Sequence, residues 1–197
     1  MLRNSPLSWG ALSIALHWIT ALLVIGMIAV GVYMTKFAEP FSALQFTLYQ
    51  WHKSFGMLIL ALAAIRLVWR LTGGDTPPLP TDIKPWERVA AHVTHYGLYA
   101  LLFAMPLIGW VLVSSAPIQV PTLLFTVIPL PHLMGPNETV YLIAEWAHWL
   151  GGLGFLGLIA LHAGAALKHH FVLRDNVLVR MLPRMLRPAS RPSSGAV

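Results

Sequence analysis

Four apolar stretches, each long enough to cross a lipid bilayer, leave few folds open to this sequence. A bilayer core takes about 20 apolar residues in helical form. The stretches run from Ala11 to Thr35, Leu44 to Thr72, Val89 to Ser115 and Val140 to Phe171. The first and third hold no charged residue, and neither does the centre of the fourth, Trp146 to Leu167. The second is interrupted by Lys53 near its start and by Arg66 and Arg70 near its end. Only 10% of the 197 residues are charged, against roughly 25% in a soluble domain. The expectation is an all-α membrane protein, a four-transmembrane-helix bundle. A single domain is expected over residues 1–186, followed by a Pro/Ser-rich, disordered cytoplasmic tail over 187–197. The first span is too long for a secretory h-region and no clear small-residue cleavage site follows it, so it reads as a retained helix.

The connections carry helix-breaking residues. Glu39-Pro40 ends the first span, and Gly73-Gly74-Asp75-Thr76-Pro77-Pro78-Leu79-Pro80 separates the second from the third. Between Pro117 and Asn137 the chain is apolar but holds five prolines. It is expected at the membrane interface, with a short re-entrant piece. Lys and Arg set the orientation. With the N-terminus in the cytoplasm, Arg3, Arg66, Arg70, Lys84, Arg88, Lys168, Arg174, Arg180, Arg184, Arg187 and Arg191 fall inside and only Lys36 and Lys53 outside. Both termini are then cytoplasmic. The net charge of +6 therefore points to anionic lipid rather than nucleic acid, since no basic patch interleaved with aromatics is present. The absence of cysteine excludes disulfides, iron–sulfur clusters, thiolate zinc sites and covalently attached haem.

Nine histidines are many for so apolar a chain, and ionisable groups inside a membrane point to function. His148 and His162 are 14 residues apart on the fourth span. They share a face and lie about 21 Å apart along the helix axis. His52 falls at the outer level with His148, and His17 at the inner level with His162. Two facing pairs, one near each membrane surface, suit two stacked b haems, each held by two axial imidazoles. Iron with both axial positions filled passes electrons rather than binding oxygen. Gly56 and Gly152 follow the outer histidines by four residues, and Ala21 and Ala166 follow the inner ones. These small residues offer close approach to a flat macrocycle. Spacing alone leaves the inner pairing open, because His95 and His169 also lie near the inner level.

Several stretches together resemble the bacterial cytochrome b561 family. They are Ala15-Leu16-His17-Trp18, Arg66-Leu67-Val68-Trp69-Arg70 with Pro77-Pro78, Ala91-His92-Val93-Thr94-His95-Tyr96 with Leu98-Tyr99, Pro106-Leu107-Ile108-Gly109, Trp146-Ala147-His148, Leu161-His162 through His170, Asp175-Asn176 and Arg180-Met181-Leu182-Pro183-Arg184. The match spans about Leu12 to Arg184 and is similar above all to the branch that couples superoxide to ubiquinone. The resemblance implies two b haems with iron ligands His17, His162, His52 and His148, in a bacterial inner membrane. It further implies superoxide oxidation to dioxygen near the outer haem and ubiquinone reduction near the inner one.

Under that implication His169 is the first candidate for the quinone, since imidazole supplies both hydrogen bonds and protons. Ser13, one turn before His17, is the second. Arg66 and Arg70 are candidates for haem propionates, with positive-inside anchoring as the bland alternative. His92 and His95 could serve a propionate or the quinone, or only pack. Lys36 and Lys53 are the candidates for attracting the superoxide anion, although Glu39, Glu138 and Glu145 lie on the same side. The alternative function is an electron-transfer cytochrome b subunit that docks a periplasmic dehydrogenase or hydrogenase.

Overall fold

The computed structural model describes residues 2–6, 8–78 and 83–186; the expected tail over 187–197 lies outside the described residues. The helices are α1 (Ala11–Lys36), α2 (Ala43–Thr72), α3 (Pro85–Ser115), α4 (Glu138–Lys168) and the short α5 (Val177–Met181). A π-helical turn, His169–Leu173, prolongs α4. The four long helices are each long and apolar enough to cross a membrane, which bears out the expected fold class. In lipid no water satisfies a free backbone amide, so an apolar run of this length is stable only with its hydrogen bonds closed internally.

Local chemistry fixes the helix ends. Ser42 caps α2, its Oγ accepting from the Gln45 amide at 3.1 Å, and Asn137 caps α4, its Oδ1 accepting from the Val140 amide at 3.0 Å. α3 begins four residues before the apolar run, at Pro85, because proline suits a first helical position. The Glu87 carboxylate closes that turn by accepting from the Lys84 amide at 3.1 Å. Lys168 at the end of α4 donates to Glu87 at 2.6 Å, so the inner ends of α3 and α4 are tied by charge.

α3 packs along α4, α1 along α2, and α2 along α3. Val24, Ile59, Ala63, Leu102 and Phe155 form the central core. All four long helices contribute to it. Large apolar side chains such as Leu22, Val68, Ile143 and Leu153 are exposed, as expected of surfaces that face lipid. The N-terminal segment lies against the end of α2, with the Asn4 amide donating to the Gly73 carbonyl at 3.1 Å. Trp18 of α1 donates to the Met181 carbonyl of α5 at 2.7 Å. This end of the bundle, with Asn4 and α5, is called inner below.

At the outer end the segment between α3 and α4 turns back on itself. It forms an antiparallel hairpin of β1 (Thr122–Leu124) and β2 (Ile128–Leu130). Phe125 and Thr126 take left-handed backbone angles, φ 50° and 64°, and make the turn. α2 and α3 hold this segment in place. The Phe125 amide donates to Ser54 Oγ at 2.9 Å, Gln50 donates to the Pro121 carbonyl at 2.9 Å, and Trp110 donates to the Pro131 carbonyl at 2.9 Å. The Phe125 ring meets Phe55 and Trp51, with centres 5.6 and 5.9 Å apart.

Ser54 is 1% exposed. Its hydroxyl donates to the Gln50 carbonyl at 2.8 Å while accepting from the hairpin. Ser54→Ala strands the Phe125 amide, a loss of about 1–3 kcal/mol. Hydrogen exchange at Phe125 is expected to quicken while the helix cores keep their protection; unchanged exchange there would contradict this attachment.

Candidate functional site

Helical periodicity places one residue of interest at each of two levels on every long helix. The pairs are His17 and Gly31 on α1, Arg66 and His52 on α2, His95 and Gly109 on α3, and His162 and His148 on α4. The members of each pair are 14 residues apart, about four turns, so both face the same way. The inner level thus gathers His17, Arg66, His95 and His162, and the outer level Gly31, His52, Gly109 and His148.

At the outer level the His52 and His148 rings face each other with centres 6.2 Å apart and planes at 69°. Each ring rests on glycine. A Cβ on Gly31 would lie 3.3 Å from His52 Cε1, and one on Gly109 would lie 3.2 Å from His148 Cε1. His52 Nδ1 is buried without a hydrogen-bond partner, whereas the Met105 backbone lies within reach of the His148 ring. Buried polar atoms are nearly always paired, at a cost of about 1–3 kcal/mol otherwise. Beside His52 lies an apolar cavity of about 240 Å³, lined by Leu23, Gly26, Met27, Val30, Trp51 and Phe55 among others.

At the inner level the His17 and His162 rings have centres 6.0 Å apart, and His95 approaches His162 at 5.2 Å. Arg66 Nη2 lies 3.1 Å from His17 Nδ1, and its guanidinium sits over the Tyr99 ring, 5.2 Å from the centre. Arg66 therefore lies against the inner histidines. Arg70 occupies the last turn of α2, and the His92 ring stacks on Tyr96.

Among the described residues no three His, Cys, Asp or Glu side chains converge as a metal site. A pair of imidazoles is what iron needs when a porphyrin supplies the other four nitrogens. A metal–imidazole bond is about 2 Å, so two rings on opposite sides of one ion have centres about 6 Å apart. The 6.0 and 6.2 Å pairs have that spacing. The 5.2 Å approach of His95 to His162 is shorter than that spacing.

Beyond the inner level, His169 is paired through Nδ1 with the Asp175 carboxylate. Ser13 is engaged on both sides. It donates to Asn4 at 2.6 Å and accepts from Trp69 Nε1 at 3.0 Å, so its one hydrogen is taken. At the outer end Lys53 follows His52 and is half-buried, while Lys36 ends α1 and is exposed. Sequence reasoning missed Gly31, and it named Gly109, Tyr99 and Asp175 only within family-type stretches, with no role. The 14-residue spacing recognised on α4 would have found both glycines had it been applied to α1 and α3. Of the small residues it did single out, Gly152 has open space within 4 Å of a built Cβ, and Gly56 meets only Met27.

Residues 8–184 match the family described as prokaryotic cytochrome b561. The chain is 33% identical to cytochrome b561 homolog 2 of Escherichia coli, covering 91% of this chain and 93% of that one. It is 32% identical to cytochrome b561 homolog 1 of the same organism, over 87% and 94%. A third relative, from Yersinia pestis, is named probable superoxide oxidase CybB; it is 32% identical over 89% and 96%.

Branched side chains at the glycine seats should push the outer imidazoles apart. Gly31→Val and Gly109→Val are expected to lower the b-type haem content of purified protein. Gly154→Ala, whose added Cβ would only just reach Leu101 at 4.0 Å, should keep it. Wild-type haem content in both valine variants would contradict the seat.

Proposed function

Because this chain belongs to the prokaryotic cytochrome b561 family of membrane electron-transfer cytochromes, we propose that it binds two b haems and carries electrons from superoxide to ubiquinone. The supporting observation is the pair of imidazole couples, 6.0 and 6.2 Å between ring centres, at opposite ends of one bundle. His52 and His148 hold the outer haem, His17 and His162 the inner one. Haem supplies one-electron redox chemistry, and two axial imidazoles close the iron to oxygen.

A guanidinium only donates, so in the present contact His17 Nδ1 accepts and the ring proton sits on Nε2. Were Nε2 to hold iron, the ring proton would sit on Nδ1 and Arg66 would be free of this contact. The freed guanidinium and Arg70 are the candidates for the haem propionates. His92 and His95 remain second candidates there.

For the donor, similarity to a protein named probable superoxide oxidase supports superoxide. Lys36 and Lys53 raise the outer potential and so the arrival rate of an anion. Glu145, which would oppose them, accepts from the Tyr141 hydroxyl at 3.3 Å. Two superoxide ions lose one electron each and leave as dioxygen. Ubiquinone takes the two electrons with two protons and leaves as ubiquinol. His169 serves the quinone at the inner end; Ser13, its hydrogen committed to Asn4, is the weaker candidate. The protein sits in the bacterial inner membrane with both termini cytoplasmic, following its Lys and Arg distribution.

Each member of a couple should be needed for its own haem. His52→Ala or His148→Ala is expected to leave one haem per chain, and so is His17→Ala or His162→Ala, by pyridine haemochrome. Retention of both haems in His17→Ala with loss of one in His95→Ala would reassign the inner ligand to His95. In stopped flow, superoxide mixed with oxidised protein should reduce the haems within the mixing experiment, and added ubiquinone should reoxidise them. Haems that stay oxidised under superoxide but are reduced by a co-purifying soluble protein would instead make this an electron-transfer subunit.

A further inference from the structure

At the inner end of α4 the helix changes pitch within a few residues. In a continued α-helix residue 175 would lie about 9 Å beyond residue 169 along the axis. Instead His169–Leu173 form a π-helical turn, and Arg174 adopts a left-handed backbone with φ 55°. The chain doubles back, and the Asp175 amide donates to the His169 carbonyl at 3.1 Å. This fold-back places the Asp175 carboxylate against the His169 ring. One oxygen meets His169 Nδ1, and the other accepts from the Val177 amide at 2.9 Å. Both side chains are largely buried, 16% and 26% exposed.

A carboxylate oxygen accepts only, so the proton between the two groups is on Nδ1. His169 is thereby held in one tautomer and one orientation, with Nε2 as its only nitrogen left for another partner. We propose that Asp175 is a positioning residue for quinone reduction, holding His169 so that Nε2 addresses the quinone oxygen. The proposal rests on the reading of His169 as the quinone residue. Asp175 does not touch the quinone; it acts through His169. The electrons come by way of the inner haem. For each proton, Nε2 is first protonated from the aqueous side, giving an imidazolium paired through Nδ1 with Asp175, and then passes that proton to the quinone oxygen; two such transfers complete each quinol.

The bland reading is a helix stop in which Asp175 only holds the turn. The two differ in what asparagine can do. A carboxylate has two oxygens for two donors, the Val177 amide and the His169 ring. Asparagine has one oxygen and an NH2, so Asp175→Asn can keep the Val177 amide only by turning a donor toward the ring, which makes Nδ1 an acceptor and moves the ring proton to Nε2. Asp175→Glu keeps two acceptors.

The test uses the full chain with both haems, reduced chemically and mixed with a short-chain ubiquinone. Haem reoxidation in Asp175→Asn is expected to be about a hundredfold slower, the low end of what a positioned proton donor contributes. Asp175→Glu should recover part of that rate, and both variants should keep two haems. In ¹⁵N-histidine spectra of the reduced protein, the signal that disappears in His169→Ala should report Nδ1 protonation in the wild type. In Asp175→Asn it should shift toward Nε2 protonation. A wild-type rate and an unchanged tautomer in Asp175→Asn, with His169→Ala slow, would overturn the positioning role and leave the quinone reading standing. A wild-type rate in His169→Ala would overturn both. Haem loss in Asp175→Asn would make Asp175 a structural stop and overturn the inference.

Discussion

An imidazole nitrogen buried in an apolar bundle must find a partner, and this requirement organises the structure. Other buried polar groups here solve the problem locally. Thr20 donates to the Leu16 carbonyl one turn back, and Ser115 to Val111 in the same way. His52 and His148 instead set their rings against Gly31 and Gly109 on the neighbouring helices. Each faces another imidazole about one liganded metal's width away. The surroundings agree with a demand for space and alignment: glycine behind each outer ring, and on each helix a 14-residue interval that sets both levels in line.

The two levels are separated by packed hydrocarbon. Phe155 lies seven residues from both His148 and His162 and is buried with Val24, Ile59, Ala63 and Leu102. This packing fills the middle of the bundle with hydrocarbon, across which electrons would pass between the two proposed haems. Proton chemistry is thus confined to the ends. At the inner end the Lys168–Glu87 ion pair, the Trp18–Met181 bond and the fold-back at Asp175 give a polar, structured surface. At the outer end a hairpin without charged residues rests on α2 beside His52.

Much of this was legible in the sequence, because membrane spans and same-face spacing are one-dimensional signals. Apolar run length gave the four helices to within a few residues. The misses at Pro85 and Glu138 came from polar first turns that lie outside an apolar run. The 14-residue interval on α4 put His148 and His162 on one face, and the alternating directions of the spans set His52 and His17 beside them. What stayed hidden depends on contacts between distant segments. Gly31 supports a ring on α2, and Gly109 a ring on α4. Ser13 is committed to Asn4 and Trp69. The hairpin escaped because its turn uses Phe125 and Thr126 in left-handed conformations, where glycine or asparagine is the usual signal. Asp175 was visible only as a family-type residue; the π turn that brings it to His169 has no simple sequence signature.

The central claim is that each level of the bundle closes on one iron with two imidazoles. Near-infrared magnetic circular dichroism of the oxidised protein, together with haem quantification, tests it most directly. Two low-spin haems per chain, both with bis-imidazole charge-transfer bands, is the predicted result. A single haem per chain, or a haem with one axial position open or filled by a group other than imidazole, would contradict it.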